Sequence, residues 1–366
     1  MNPSLAWTLA DQANLAIRNA RQDDEIIIGT SEPNQVARLV TGLPKRLVEA
    51  WQPFVRAGAL TVSAAFCHAK PQVQWESPFN PKESFGPELA DLLIIFDVRD
   101  AQGKRAQRSL LSQVKVCSNA LCSLSSAGDL AQRYMYSEWP EFSLPAQPAS
   151  LIMPMSPVDV NPGRNGLSSD LQARYACVEG DKTANTSWWL EGVSASIGVP
   201  NSAASFKDVP TVNISLTKSL GEGLVDMYAG CIGRLCDNGD SWSQLTDYLQ
   251  RYVACHTVNS KLPHVSARVG VSPLPLVAAS TFVVDKKAFF PRISEVQHFV
   301  AGFIPRVDWS GFSQFNGRGY FYGWPGFVAP VDGQFLDFDF GAGMGVIRVS
   351  IDEPLFDGER AAEELS

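Results

Sequence analysis

Apolar residues recur along this chain with two different periods, and the changes from one to the other mark out its elements. Leu9, Ala13, Ala16 and Ile17 fall at helical intervals, which predicts an amphipathic helix over Trp7–Arg21, ending before Ile26-Ile27-Ile28. A second helix is expected over Asn34–Leu43. A short one follows from Pro44, a residue suited to a first helical turn, to Gln52, with Leu47, Val48 and Trp51 facing the core. Leu60–Trp75 then reads as a strand interrupted near Pro71. Leu92–Val98 and Ser109–Val116 are apolar strands separated by Asp100-Ala101-Gln102-Gly103, which suits a type I turn closed by a left-handed glycine. Together they predict a β-hairpin.

Beyond the hairpin the period changes again. Asp129–Tyr136 opens a helix. Ser150–Met153, Ala173–Glu179 and Ser187–Gly192 read as strands, and Asp159–Ser169 as a surface loop. Leu216–Leu235 and, after an Asp240-Ser241 cap, Trp242–Val253 predict two packed helices. From Lys261 the texture is short β-runs, Val265–Val271, Ser280–Val284 and Val346–Ile351, around an aromatic, glycine-rich stretch at Trp309–Phe340. The expectation is an α/β (α+β) protein in four segments: 1–43 helical, 44–160 a core, 161–260 mixed strands and two helices, 261–366 β-rich.

The hairpin's register has chemical consequences. A loop closing on Asp100 and Lys104 sets Asp91 opposite Gln113, since each step back along one strand is matched by a step forward along the other. Side chains alternate along a strand, so Gln113 and Lys115 share a face with Asp91 while Val114 points the other way. A slip of one residue would undo this.

An acid followed on the next strand by Gln-x-Lys, Gln113-Val114-Lys115, resembles the arrangement of the PD-(D/E)XK nuclease superfamily. Gln132-Arg133-Tyr134-Met135-Tyr136 further resembles the Gln-x-x-x-Tyr motif of its RecB-like and lambda-exonuclease-like branch. The resemblance covers Pro44 to Phe142, and this chain has Gln113 where the family usually has Glu. It implies a restriction-endonuclease-like core, a central mixed sheet flanked by helices, for the 44–160 segment. It also implies that Asp91, Gln113 and the Val114 carbonyl hold Mg²⁺ or Mn²⁺ beside the Lys115 ammonium, and that Gln132 and Tyr136 position the nucleic acid. An amide oxygen ligates Mg²⁺ without adding negative charge. Glu49 on the leading helix, Glu88 three residues before Asp91, and His68 are additional candidates, each with a plainer account as a surface or structural residue.

Composition narrows the partners. The net charge of −8 disfavours phosphate binding by the chain as a whole. Lys104, Arg105 and Arg108 nevertheless cluster on the hairpin, as a nucleic-acid contact or as an ordinary solvated turn. The 366 residues, 45% of them hydrophobic, suffice for a substantial core. The seven cysteines, odd in number and irregularly spaced, argue against a disulfide framework. No apolar run of membrane-spanning length and no secretion signal is evident, so a cytoplasmic location without membrane contact is expected. No phosphate-binding P-loop is present, and any ATP-driven step would need a protein partner. The function expected is cleavage of nucleic acid, DNA in the first instance, in defence or repair. The competing readings are an inactive nuclease-fold scaffold or nucleic-acid-binding subunit, and an α/β protein in which the three residues are plain surface groups.

Overall fold

The computed structural model describes residues 1–22, 31–55, 60–67, 71–75, 87–99, 103–117, 122–144, 158–162, 172–179, 188–191, 211–214, 216–236, 239–258, 280–283 and 344–351. Its helices are α1 (Pro3–Gln22), α2 (Glu32–Trp51), α3 (Ala127–Glu138), α4 (Leu220–Ala229) and α5 (Ser241–Val258). Its strands are β1 (Leu60–Cys67), β2 (Leu92–Arg99), β3 (Arg105–Cys117), β4 (Cys122–Leu124), β5 (Phe142–Leu144), β6 (Val158–Val160), β7 (Ala173–Glu179), β8 (Trp188–Glu191), β9 (Val212–Ile214), β10 (Leu216–Ser219), β11 (Arg234–Leu235), β12 (Ser280–Val283) and β13 (Met344–Ile351).

A mixed sheet organises these elements, in the order β10-β8-β7-β3-β2-β13-β1-β12, with β11 pairing on β3. Helices cover both faces. Leu92, Ile94, Phe96, Leu110 and Val114 pack with α1, α2 and α4, whereas Leu93, Ile95 and Leu111 pack with α3 and α5. Burial on both sides is why Leu92 to Phe96 are apolar without a break. β2 and β3 are antiparallel, β3 and β7 parallel with α3 in the connection between them, and β13 is parallel to β2 and antiparallel to β1. The one sheet therefore takes strands from the 44–160, 161–260 and 261–366 segments.

The hairpin register is the expected one: Leu92 faces Ser112 and Arg99 faces Arg105, the register in which the next step outward sets Asp91 against Gln113, although the ladder itself ends at Leu92. Gly103 has φ +78°, the left-handed conformation the turn requires.

Several boundaries differ from expectation. The helices expected over Asn34–Leu43 and Pro44–Gln52 are one helix, α2, with Pro44 in its interior. Leu39, Val40 and Leu43 before the proline and Leu47, Val48 and Trp51 after it are all buried, and that continuous apolar stripe outweighs the lost hydrogen bond. The strand expected over Leu60–Trp75 ends at Cys67, and Gln72 and Gln74 make only isolated bridges, to Glu88 and Ser143. β13 lies between β1 and the hairpin. The helix expected from Leu216 begins at Leu220, where Ser219 and Glu222 form a reciprocal capping box, and ends at Gly230 with φ +77°; β10 and β11 flank it. Val158–Val160, expected partly as loop, pairs with β5. The strands expected at Ser150–Met153 and Val265–Val271, the aromatic stretch at Trp309–Phe340, and His68 lie outside the described residues. No helix among the described residues is long and apolar enough to cross a membrane.

Candidate functional site

Asp91 lies just before β2 begins, at an end of the sheet where three strands and two helix starts meet. Its N–H donates to the Ser112 carbonyl at 3.1 Å and its carbonyl accepts from Gly345 N–H at 2.8 Å, so it bridges β3 and β13. Beyond the end of β2 the backbone of β3 has no ladder partner on that side among the described residues. There the Asp91 carboxylate takes its place: Oδ2 accepts the Val114 N–H at 2.8 Å. A strand residue's N–H and C=O point to the same side, so the Val114 carbonyl also faces Asp91's side of β3.

Gln113 and Lys115 emerge on the face covered by α3. The amide oxygen of Gln113 accepts a hydrogen bond from Gln132 Nε2, and Gln132 Nε2 also donates to the Glu88 carbonyl at 2.7 Å. Tyr136, one turn on, donates its hydroxyl to the Leu89 carbonyl at 2.7 Å. Gln132 and Tyr136 are both buried. The two motif residues of α3 therefore brace the 88–91 segment and the Gln113 amide, and do not present themselves to solvent.

Lys115 is the cation of the site. Its Nζ lies 2.9 Å from Asp129 Oδ1 and 3.5 Å from Glu32 Oε2. Both acids come from first helical turns: Asp129 from α3, capped by the Ser126 hydroxyl accepting the Asp129 N–H at 3.0 Å, and Glu32 from α2. α2 reaches this end of the sheet because Gly345 has no side chain; a Cβ there would stand 2.6 Å from Val40 Cγ2 and 2.8 Å from Val36 Cγ1.

Charge is unevenly balanced. Burial, reinforced by Glu88 and Glu32, pushes the Asp91 carboxyl well above the usual aspartate range, against the Val114 N–H and Lys115. Burial works against the charge of Lys115, but Glu32, Asp129 and Asp91 outweigh it and hold the amine above the usual lysine range. Lys115 is thus a fixed cation near neutral pH and no general base. Beneath it, Cys177 is its ladder partner on β7 and contacts Cys122, whose thiol is lowered by that hydrogen bond and by the nearby Lys115 charge.

Among the described residues no three His, Cys, Asp or Glu side chains converge to hold a metal ion. The candidate donors on the paired strands, the Asp91 carboxylate, the Gln113 amide oxygen and the Val114 carbonyl, are all oxygens, the type Mg²⁺ takes. Mg²⁺ commonly binds through one or two carboxylates, with waters and substrate phosphate completing its shell. The residues fit such a sparsely held ion and do not fit a closed structural cage.

The other candidates lie apart. Glu49 is exposed on α2, paired with Lys45 at 3.9 Å. Lys104, Arg105 and Arg108 sit near the turn end of the hairpin, and at about 3.3 Å per residue Arg108 is roughly 23 Å along β3 from Lys115. The strand also separates them by face. Arg105 forms an ion pair with Asp97, while Arg108 Nη1 donates to the Gly233 carbonyl at 3.0 Å beyond α4. Glu32 and Asp129 were not singled out from the sequence. The readable signals were Ser31-Glu32-Pro33 and Ser126-Ala127-Gly128-Asp129, helix starts that put an acid in the first turn.

No family model matches the chain, no curated protein matches it, and no solved structure matches it.

Proposed function

We propose that the chain is a metal-dependent nuclease that hydrolyses phosphodiester bonds, DNA first among its substrates, on a restriction-endonuclease-like core. The observation that supports this best is the convergence of Asp91, Gln113 and Lys115 from two antiparallel strands, braced by Gln132 and Tyr136 on the helix that follows. Five residues from three elements, in the order of the motifs they resemble, meet at one end of the sheet.

A Mg²⁺ or Mn²⁺ held by Asp91, the Gln113 amide oxygen and the Val114 carbonyl would polarise the phosphate and acidify a water. The remaining work falls to the chain. The Val114 N–H fixes the Asp91 carboxylate, and Gln132 fixes the Gln113 oxygen. Lys115, held protonated, offsets the negative charge that develops on the phosphoryl oxygens, and the first turns of α2 and α3 add the positive ends of their dipoles. Purified chain and its Lys115→Ala variant, assayed for Mg²⁺-dependent cleavage of single- and double-stranded DNA, test this. The variant is expected to lose activity by about 10²–10³-fold, the scale of removing one preorganised charge-stabilising group. Cleavage that survives the substitution removes the mechanism.

A second reading, an inactive scaffold or nucleic-acid-binding subunit of a larger complex, is favoured by one feature. Gln113 supplies an amide where an acid would add charge, and its oxygen is already engaged by Gln132. Titration with Mn²⁺ separates the two. An active site binds the ion in a manner lost on Asp91→Ala; a scaffold is indifferent to both.

A further inference from the structure

Three of the seven cysteines meet beneath Lys115, brought there by three different strands. Cys177 on β7 pairs with Lys115 across the parallel ladder, and Cys117 stands two residues beyond Lys115 on β3. Side-chain alternation makes Cys117 and Cys177 diagonal neighbours on one face of the sheet. Cys122 comes from β4, which lies outside the main sheet and pairs with β9; Cys122 and Leu124 turn into the same core while Ser123 stays exposed. The Cys177 thiol is hydrogen-bonded to the sulfurs of both Cys122 and Cys117. None of the three is in a disulfide.

Two features separate this cluster from thiols that merely fill a core. Its members differ in access, Cys122 being 7% exposed and Cys177 0%. They also differ in charge. The hydrogen bond with Cys177 lowers the Cys122 thiol against its burial, and Lys115 lowers it further while Glu32 and Asp129 oppose. Cys177 is raised, first by that same hydrogen bond and then by burial. One sulfur therefore leans toward thiolate, and its neighbour keeps its proton.

We propose that Cys122 and Cys177 form a peroxide-reactive dithiol, a modification site that closes to a disulfide linking β4 to β7. Cys122, the more accessible sulfur, releases its proton to solvent and attacks one oxygen of hydrogen peroxide. The O–O bond breaks, a sulfenic acid forms at Cys122, and the departing hydroxide takes up a proton to become water. Cys177 is the thiol hydrogen-bonded to Cys122, which makes it the resolving partner. Its sulfur attacks the Cys122 sulfur, the S–O bond breaks, and the Cys177 proton leaves with the hydroxide as a second water. Two thiols and one peroxide thus become one disulfide and two waters, the peroxide taking both electrons. The loop so closed contains α3, so oxidation tethers the helix that carries Asp129, Gln132 and Tyr136. The inference stands whether or not the site at Lys115 cleaves nucleic acid.

The test is brief treatment of the reduced full chain with hydrogen peroxide, followed by alkylation of the remaining thiols, proteolysis and mass spectrometry. The parent chain is expected to yield a peptide pair joined Cys122 to Cys177, two hydrogens lighter than the separate peptides and parted again by dithiothreitol. Cys117→Ser is expected to leave that linkage in place. Cys122→Ser is expected to slow oxidation of Cys177 by roughly ten-fold or more, since a thiol raised by burial is inert. Exposed Cys231 is the internal reference. Consumption of Cys231 while Cys122 and Cys177 stay reduced overturns the proposal, as does a disulfide joining Cys117 to Cys177 in the parent. Linkage that forms as fast in urea as in the folded chain overturns it too, because the folded arrangement then contributes nothing. Mapping in the parent needs no variant, so a substitution that fails to fold leaves the decision intact.

Discussion

Asp91 carries a buried carboxyl whose charge sets it against the stability of the fold. Its carboxyl is buried, lies near Glu88 and Glu32, and has its pKa raised well above the usual range. A carboxyl with a raised folded pKa contributes stability below its unfolded value near 3.8, and that contribution is lost as pH rises through the folded value. At neutral pH the charged form is therefore a burden on the metal-free fold. Asp91→Asn, which keeps an oxygen for the Val114 N–H, is expected to melt higher than the parent at pH 7 without divalent ions, and the gap is expected to close toward pH 4. Thermal melts across that range measure it; a variant less stable at pH 7 would show that the carboxylate is there for structure. The position of this residue beside β3 was readable in advance because hairpin register is arithmetic once the turn is assigned. Glu32 was not: its role depends on where the start of α2 lands on the sheet, and nothing local to Ser31-Glu32-Pro33 reports that.

At the scale of elements, what local pattern could supply was the hairpin, α1, α3, β7 and β8, each defined by its own periodicity or caps. What it could not supply were choices decided by neighbours. Pro44 looks like a helix start in isolation, yet α2 runs through it because its apolar stripe is buried against α1 and the sheet on both sides of the ring. Leu216–Ser219 continues an apolar helical pattern but is a strand, since β8 offers it an edge and Ser219 with Glu222 caps the helix only afterwards. The seat of α2 is open to test at Gly345. Adding one methyl there meets Val36 and Val40, whose branched side chains have little freedom to turn away. Gly345→Ala is expected to cost about 1–3 kcal/mol in chemical denaturation, the usual range for overpacking a core. Because the same contact brings Glu32 to Lys115, the proposed nuclease activity is expected to fall by more than the change in folded fraction explains. Loss of activity in strict proportion to unfolding would detach α2 from the site.

For the molecule as a whole, the decisive event is the insertion of β13 between β1 and β2, a join between positions about 250 residues apart. Hydrophobic strands alone would tolerate several neighbours, and a buried ion pair selects one. Arg348 on β13 donates to Asp97 on β2 at 2.5 Å and to Gln250 of α5 at 3.4 Å, and Arg105 of β3 forms an ion pair with the same aspartate. Burial alone would raise Asp97, but the two guanidinium groups hold its carboxyl below the usual range. A lowered folded pKa contributes stability above the unfolded value near 3.8 and loses it as pH falls through the folded value, so this join weakens in acid. Arg348→Ala removes one of the two guanidinium groups on Asp97, leaving Arg105, and is expected to cost about 1–3 kcal/mol at pH 7, the range for losing one charged hydrogen-bond partner of a buried group. The double variant Arg348→Met with Asp97→Leu removes both charges, and is expected to recover much of that loss while abolishing the acid sensitivity contributed by Asp97. Arg105 then has no buried acid to answer, but its side chain is 54% exposed and can turn to water. Denaturant titrations of the parent, the single and the double variant at pH 7 and pH 3 decide the matter. If the single variant is as stable as the parent at pH 7, apolar packing alone positions the C-terminal strand, and the ion pair does not select its place in the sheet.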